Sequence, residues 1–205
     1  MPEPTQKYQA TDDRKRAIAA AARSLIVEKG FEGLRTREIA DRVGINIATL
    51  HYHIPTKDAL IELVAQSMKD DFMAQYYRYP REGLTPRQLL ELEFDKHRDT
   101  RCQNPELLFV MEEMGRRARH DATIARYIDP MRLYWRQQIT DILREGVADG
   151  SFRADLDPDG ACYMVIGAMV ATSMYRLDDD VTIDGAKQAL MNSVLSGSEK
   201  DRSDV

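Results

Sequence analysis

TREIADRVGINIATLHYHIPTK, residues 36–57, decides the fold. It reads as two short helices around a tight turn, then the start of a third. Thr36 is the predicted N-cap of the first, with Ile39, Ala40 and Val43 facing inward. Gly44 ends that helix, because glycine adopts positive φ at little cost. Asn46 caps a helix over about 47–53. Leu50 and Ile54, four residues apart, bury its inner face together with Ile45. Its outer positions are Ile47, Ala48, Thr49, His51, Tyr52 and His53. Pro55 stops this helix and Thr56 caps the next, which starts at Lys57. A helix with a thin buried stripe and a polar, aromatic outer face is built to lie against something polar. The major groove of DNA fits that description.

Helix signals continue in both directions. Upstream, a helix is predicted over about 12–29, with Ile18, Ala22, Leu25 and Ile26 as its apolar stripe. Gly30 stops it, and Phe31 and Leu34 plug the small core. Downstream, helices are predicted over 57–77, 86–101, 105–119, 122–148, 158–177 and 184–196, with Pro130 kinking or breaking the fourth near Asp129. No stretch alternates with the period-2 pattern of a strand, so the expected class is all-α. Residues 1–56 read as a helix-turn-helix domain whose first ten residues form a disordered arm. Residues 57–205 read as a larger helical domain with a disordered tail at 197–205.

Composition narrows the function. The chain has 205 residues, 31% charged and 43% apolar, an ordinary globular balance. No apolar run reaches the roughly 20 residues of a membrane span. The N-terminus has no apolar signal core, so the expected location is the cytoplasm. Cys102 and Cys162 lack metal-ligand spacing and are expected to be buried, reduced thiols. The net charge of −5 is unevenly spread. Residues 1–60 hold ten Lys and Arg against eight Asp and Glu, and the remainder 19 against 26. A less acidic head on an acidic body suits a protein that presents one end to phosphate.

The stretch GINIATLHYHIPTKDAL, residues 44–60, resembles the TetR-family pattern: a glycine, a recognition helix, an LYYHF-like segment and a lysine opening the next helix. RKRAIAAAARSLIVEKGFEGLRTREIA, from residue 14, resembles the family's first helix and the turn after it. The likeness in motif covers about 14–60. Beyond it only the helix order agrees, with DGSFRADLDP similar to the linker before the family's dimer helices. The resemblance implies DNA contacts from Thr36, Thr49, Tyr52, His53 and Lys57, the last pairing an ammonium with free helix-terminal N–H groups. Two positions depart from the pattern: His51 replaces the first tyrosine and Ile54 the phenylalanine.

The recognition helix has no Arg or Lys between 46 and 53, so it cannot make the bidentate arginine–guanine contact. Ile47 and Ala48 are therefore expected to touch thymine methyls, with Thr49 and His51 making polar contacts and Arg35, Arg37 and Lys57 gripping phosphates; the capping Asn46 is counted with the DNA-binding residues. His51 and His53, two residues apart on a helix, point to different sides and make no metal pair.

Helix-turn-helix proteins pair on near-palindromic sites. The 158–177 segment is apolar nearly all round, and with 184–196 it is expected to form a four-helix bundle between two subunits. Val165, Ala168, Met169, Leu190 and Val194 are the expected interface. The resemblance further implies a small-molecule effector in the middle helices. Phe72, Tyr76, Phe94, Phe109, Met111, Met114, Tyr134 and Trp135 are candidate wall residues, and His97 a polar anchor. No cofactor or metal is expected. The whole reads as a homodimeric, effector-released repressor. Two alternatives stand beside it: a helical protein-binding adaptor, and a helical metalloenzyme using Glu91, Glu93 and His97, whose spacing does not repeat as a di-iron bundle requires.

Overall fold

The computed structural model describes residues 4–174 and 180–196. Its helices are α1 Pro4–Lys29, α2 Thr36–Val43, α3 Ile47–His53, α4 Lys57–Arg78, α5 Pro86–Gln103, α6 Pro105–Arg117, α7 Ala122–Asp149, α8 Pro158–Met174 and α9 Asp180–Val194. Among the described residues there is no strand beyond an isolated antiparallel bridge between Phe152 and Leu195. The chain is all-α.

α1 starts well ahead of the expected Asp12, so the expected disordered arm is helical from residue 4 onward. Proline is tolerated at a first helical position, and neither glycine nor a second proline follows before Gly30. The expected tail at 197–205 lies outside the described residues. Thr36 is the first helical residue of α2 rather than its cap; Arg35 occupies the cap position in an extended conformation without a side-chain hydrogen bond. α7 runs through Pro130 without a break at Asp129. Cys162 is buried, but Cys102 is exposed near the end of α5, where polar neighbours leave no apolar cover.

The chain forms two compact units. The first comprises Met1–Ala74 and Glu106–Met131. Ile18, Ala22, Leu25 and Ile26 of α1 are fully buried and meet Ile39 and Ala40 of α2 and Leu50 of α3. Phe31 plugs this core from a short 3-10 turn, Phe31–Gly33, entered through Gly30 at φ 67°. The same cluster takes in Leu60, Ile61, Val64, Ala65 and Met68 of α4, Leu107, Val110 and Met114 of α6, and Ile124 and Ile128 of α7. The three-helix head therefore shares one apolar core with α4, α6 and the start of α7. Each such Leu or Ile contributes on the order of 1.5–3 kcal/mol.

The second unit comprises Gln75–Pro105 and Arg132–Val205. α5 opens with a capping box: the Gln88 N–H donates to Thr85 Oγ1 at 3.3 Å and the Thr85 N–H to Gln88 Oε1 at 3.0 Å. Leu90 and Phe94 of α5 pack with Ile139, Ile142 and Leu143 of α7, Val165 and Met169 of α8, and Leu190 and Val194 of α9. Of the residues expected at the interface, Val165, Met169, Leu190 and Val194 are buried within the single chain and Ala168 is partly exposed. α8 has apolar residues on every side, so composition alone could not say which side faces the core. Asp157 caps α8, accepting from the Asp159 and Gly160 N–H groups at 3.2 Å each.

Candidate nucleic-acid interface

The turn between α2 and α3 is set by Gly44, in the left-handed region at φ 70°, ψ 35°. Leu50 and Ile54 anchor α3, at 0% and 3% exposure, with Ile45 partly buried beside them. Asn46 caps α3, its Oδ1 accepting from the Thr49 N–H at 2.7 Å. With the inner side fixed, the outer side follows from the helical period. Ile47, Ala48, His51 and Tyr52 are exposed, Tyr52 to 82%. Thr49 and His53 are half-buried at the edges of this face. The His53 ring meets Tyr52 edge-on, with centroids 5.2 Å apart, which restrains both rings without covering Tyr52.

Around this face the cations divide into two groups. Arg42 is engaged from two sides: Nη1 and Nη2 donate to Glu28 at 2.8 and 2.6 Å, and Glu38 lies 3.6 Å away. Lys29 pairs with Glu38. The Arg42 hydrogen bonds hold the Glu28 carboxyl at a pKa of about 2, well below its usual 4.5. These pairs tie the end of α1 to α2. Arg35, Arg37 and Lys57, by contrast, are exposed and have no ion-pair partner among the described residues. Thr56 caps α4, accepting from the Ala59 N–H at 3.1 Å, which puts Lys57 on the first turn beside unpaired backbone N–H groups. Thr36 is half-buried at the start of α2. All eleven residues expected at the interface thus fall in the first unit, on α2, on α3 or its cap, and at the start of α4.

Sequence reading missed the groups that brace this head. Arg117, near the end of α6, donates to Glu32 at 2.8 Å and lies 5.0 Å from the centre of the Phe31 ring. It also meets Glu113 at 3.2 Å, and Arg116 pairs with the same carboxylate. Arg23 of α1, 8% exposed, pairs with Asp71 of α4 at 2.6 Å and Glu106 of α6 at 3.4 Å. A lone arginine in an alanine-rich helix carries no local signal that two distant carboxylates will meet it.

The candidate effector residues divide between the units. Phe72, Phe109, Met111 and Met114 belong to the first; Tyr76, Phe94, His97, Tyr134 and Trp135 belong to the second. Met114 and Phe94 are core residues, whereas Phe109 and Tyr134 are 45% and 58% exposed. Bulky apolar residues at helical spacing serve packing as readily as a cavity, and spacing does not separate the two. A cleft of about 200 Å³ in the second unit is lined instead by Arg81, Leu89, Gln138, Asp141, Ile142 and Glu145. His97 is set between α5 and α8, its Nε2 2.9 Å from Ser173 Oγ. Burial pushes its pKa down to about 4, against the opposing effect of a hydrogen bond to the Met169 backbone; the Arg101 charge adds to the depression. His97 is therefore a neutral imidazole at pH 7.

The carboxylates named for a metalloenzyme are held by cations. Glu91 pairs with Arg87 at 3.1 Å, and buried Glu93 is shared by Arg81 and by Lys96 at 2.9 Å. No group of three or more His, Cys, Asp or Glu suited to a metal occurs among the described residues. No described helix is long and apolar enough to cross a membrane.

Comparison with known proteins agrees with the geometry. Residues 18–64 match the model for bacterial regulatory proteins of the tetR family. The transcriptional repressor KstR2 of Rhodococcus jostii is 25% identical over 198 residues, covering 96% of each chain. A transcriptional regulator from Saccharomonospora viridis, solved with choline, superimposes with a TM-score of 0.76 at 22% identity, covering 90% of this chain and 99% of that one. FadR of Bacillus subtilis, solved with stearoyl-CoA, gives 0.71 at 20% identity, covering 87% and 98%. A matched head, a full-length likeness to a repressor and a shared fold converge: residues 18–64 match the TetR family of transcriptional regulators, and the whole chain is similar to its repressors.

Proposed function

We propose that this protein is a homodimeric repressor that binds a palindromic operator through α2 and α3 and is released by a small-molecule effector. The observation that carries the reading is the outer face of α3, anchored by Leu50 and Ile54 from behind and flanked by the unpaired cations Arg35, Arg37 and Lys57. Residues 1–56 form the reading head and 57–205 the sensing and pairing body, and the protein works in the cytoplasm. Likeness to a named repressor favours repression over activation.

A second copy is the partner that suits α8. Tyr163, Met164 and Val170 are 62%, 57% and 42% exposed on one side of it. Gly167, also exposed there, has open space where a Cβ would stand. A mid-helix glycine costs about 1 kcal/mol relative to alanine, and close approach by another helix offsets that cost. Release is a population shift: effector favours a dimer whose two recognition helices no longer match successive major grooves, roughly 34–36 Å apart. Proteins of the same fold hold ligands as different as choline and stearoyl-CoA. The effector of this chain is accordingly left to experiment, with His97 as the polar group we assign to it.

The test is selection of bound duplexes from a random pool, followed by affinity measurements across salt. A recovered palindrome and a linear fall of log K with log salt are expected. Alanine at Arg35, Arg37 or Lys57 should reduce the slope by about 1 per phosphate contact in each half-site. Recovery of no enriched sequence sinks the reading.

A further inference from the structure

We infer that the first turn of α3 reads thymine through its 5-methyl group, so that each half-site is specified there by T·A pairs and not by guanine. The inference rests on the DNA-binding reading and adds what the head recognises.

The residues at the start of a recognition helix are the ones that reach base edges. Here the exposed members of that turn are Ile47 and Ala48, Ile47 to 38%. Neither has a donor or an acceptor. An apolar side chain in the major groove finds one attractive partner, the thymine methyl. Against guanine it would leave O6 and N7 without a donor, and against cytosine it would strand the N4 amino group; both are penalised once water is excluded.

Of the polar groups that could override this choice, Asn46 and Arg42 are engaged within the chain, and the unpaired Arg35 and Arg37 stand on α2 and its cap. Asn46 would read adenine with Oδ1 and Nδ2 together, but Oδ1 already accepts from the Thr49 N–H at 2.7 Å. Releasing it would uncap α3. The Arg42 guanidinium, the cation closing α2, is held by both oxygens of Glu28. Arg35 and Arg37 stand at the cap and first turn of α2, the helix that crosses the backbone in this motif, where their charge meets phosphate. One turn further along α3, His51 and Tyr52 supply polar contacts beside the apolar pair without displacing it.

The experiment takes the enriched operator from the selection above and replaces each thymine singly with uracil. This removes the methyl and leaves every base-pairing atom in place. Native protein should bind roughly four-fold more weakly at one or two thymines in each half-site, the effect of losing one buried methyl. Ile47→Ala should abolish that sensitivity at its thymine, and Ile47→Val should retain it. Helical circular dichroism and the melting temperature of both variants check that each remains folded. Three results overturn the inference while leaving the repressor reading intact: an operator insensitive to uracil at every thymine, a sensitivity unchanged in Ile47→Ala, or an enriched half-site with guanine at the positions facing α3. Failure to retain any duplex overturns both.

Discussion

The guanidinium of Arg117 stands 5.0 Å from the centre of the Phe31 ring while donating to Glu32 at 2.8 Å. One side chain of α6 thus holds the turn between α1 and α2 by its face and by its edge. Glu32 is exposed, so solvent screens its ion pair, whereas Phe31 is buried and its contact with the cation carries most of the effect. Arg117→Ala should lower stability by roughly 1 kcal/mol at pH 7 in denaturant titration. Hydrogen bonding to Arg117 lowers the Glu32 pKa from its usual 4.5. A depressed carboxylate stabilises above its unfolded pKa and loses that contribution as pH falls through the folded value. The gap between native and variant should therefore narrow on acidification below pH 4.5.

His97 gives the second unit a different pH response. Its pKa is about 4 in the folded chain against an ordinary 6.5, so the unfolded chain takes up a proton first as pH falls. Stability from this site is complete above pH 6.5 and declines between 6.5 and 4. The loss should reach roughly 2–3 kcal/mol at the low end. Denaturant titrations at pH 7.5 and 5 would measure it. His97→Gln, which cannot titrate, should flatten that part of the profile; an unchanged slope would contradict the burial argument.

Gly146 faces the Phe152 ring so closely that a Cβ would stand 2.1 Å from it. The Phe152 N–H also donates to the Gly146 carbonyl at 2.8 Å, which limits how far the ring can withdraw. Gly146→Ala, normally favourable in a helix, should instead destabilise by about 1–3 kcal/mol through overpacking. Adding Phe152→Leu should return part of that loss relative to Phe152→Leu alone. Melting temperatures of the three variants decide it.

Met164 tests the pairing surface without touching the core. At 57% exposure its replacement by glutamate costs the single chain little. Across a dimer interface the same change buries an unpaired charge. Met164→Glu should shift the protein from dimer to monomer in light-scattering chromatography and weaken operator binding by at least ten-fold. A variant that remains dimeric would remove α8 from the interface.

The local devices were legible in the chain. Gly44 had to be the turn because its φ of 70° is open mainly to glycine, and Asn46 and Thr56 cap because their oxygens reach N–H groups three residues on. The span of α3 was legible, since Leu50 and Ile54 fix its inner side, although Thr49 and His53, expected on the outer face, are half-buried at its edges. Period and capping are properties of neighbours in sequence. What α8 presents, and to whom, is not: with apolar residues all round it, only packing against α5, α7 and α9 put Val165 and Met169 inside and Met164 and Val170 outside. The same holds for Arg23 and Arg117, whose partners lie far along the chain. Sequence by itself determined the all-α class, the Gly44 turn and the caps and inner anchor of α3. Tertiary structure decided which apolar and charged groups remained available, because burial and ion pairing depend on the whole set of neighbours and not on spacing.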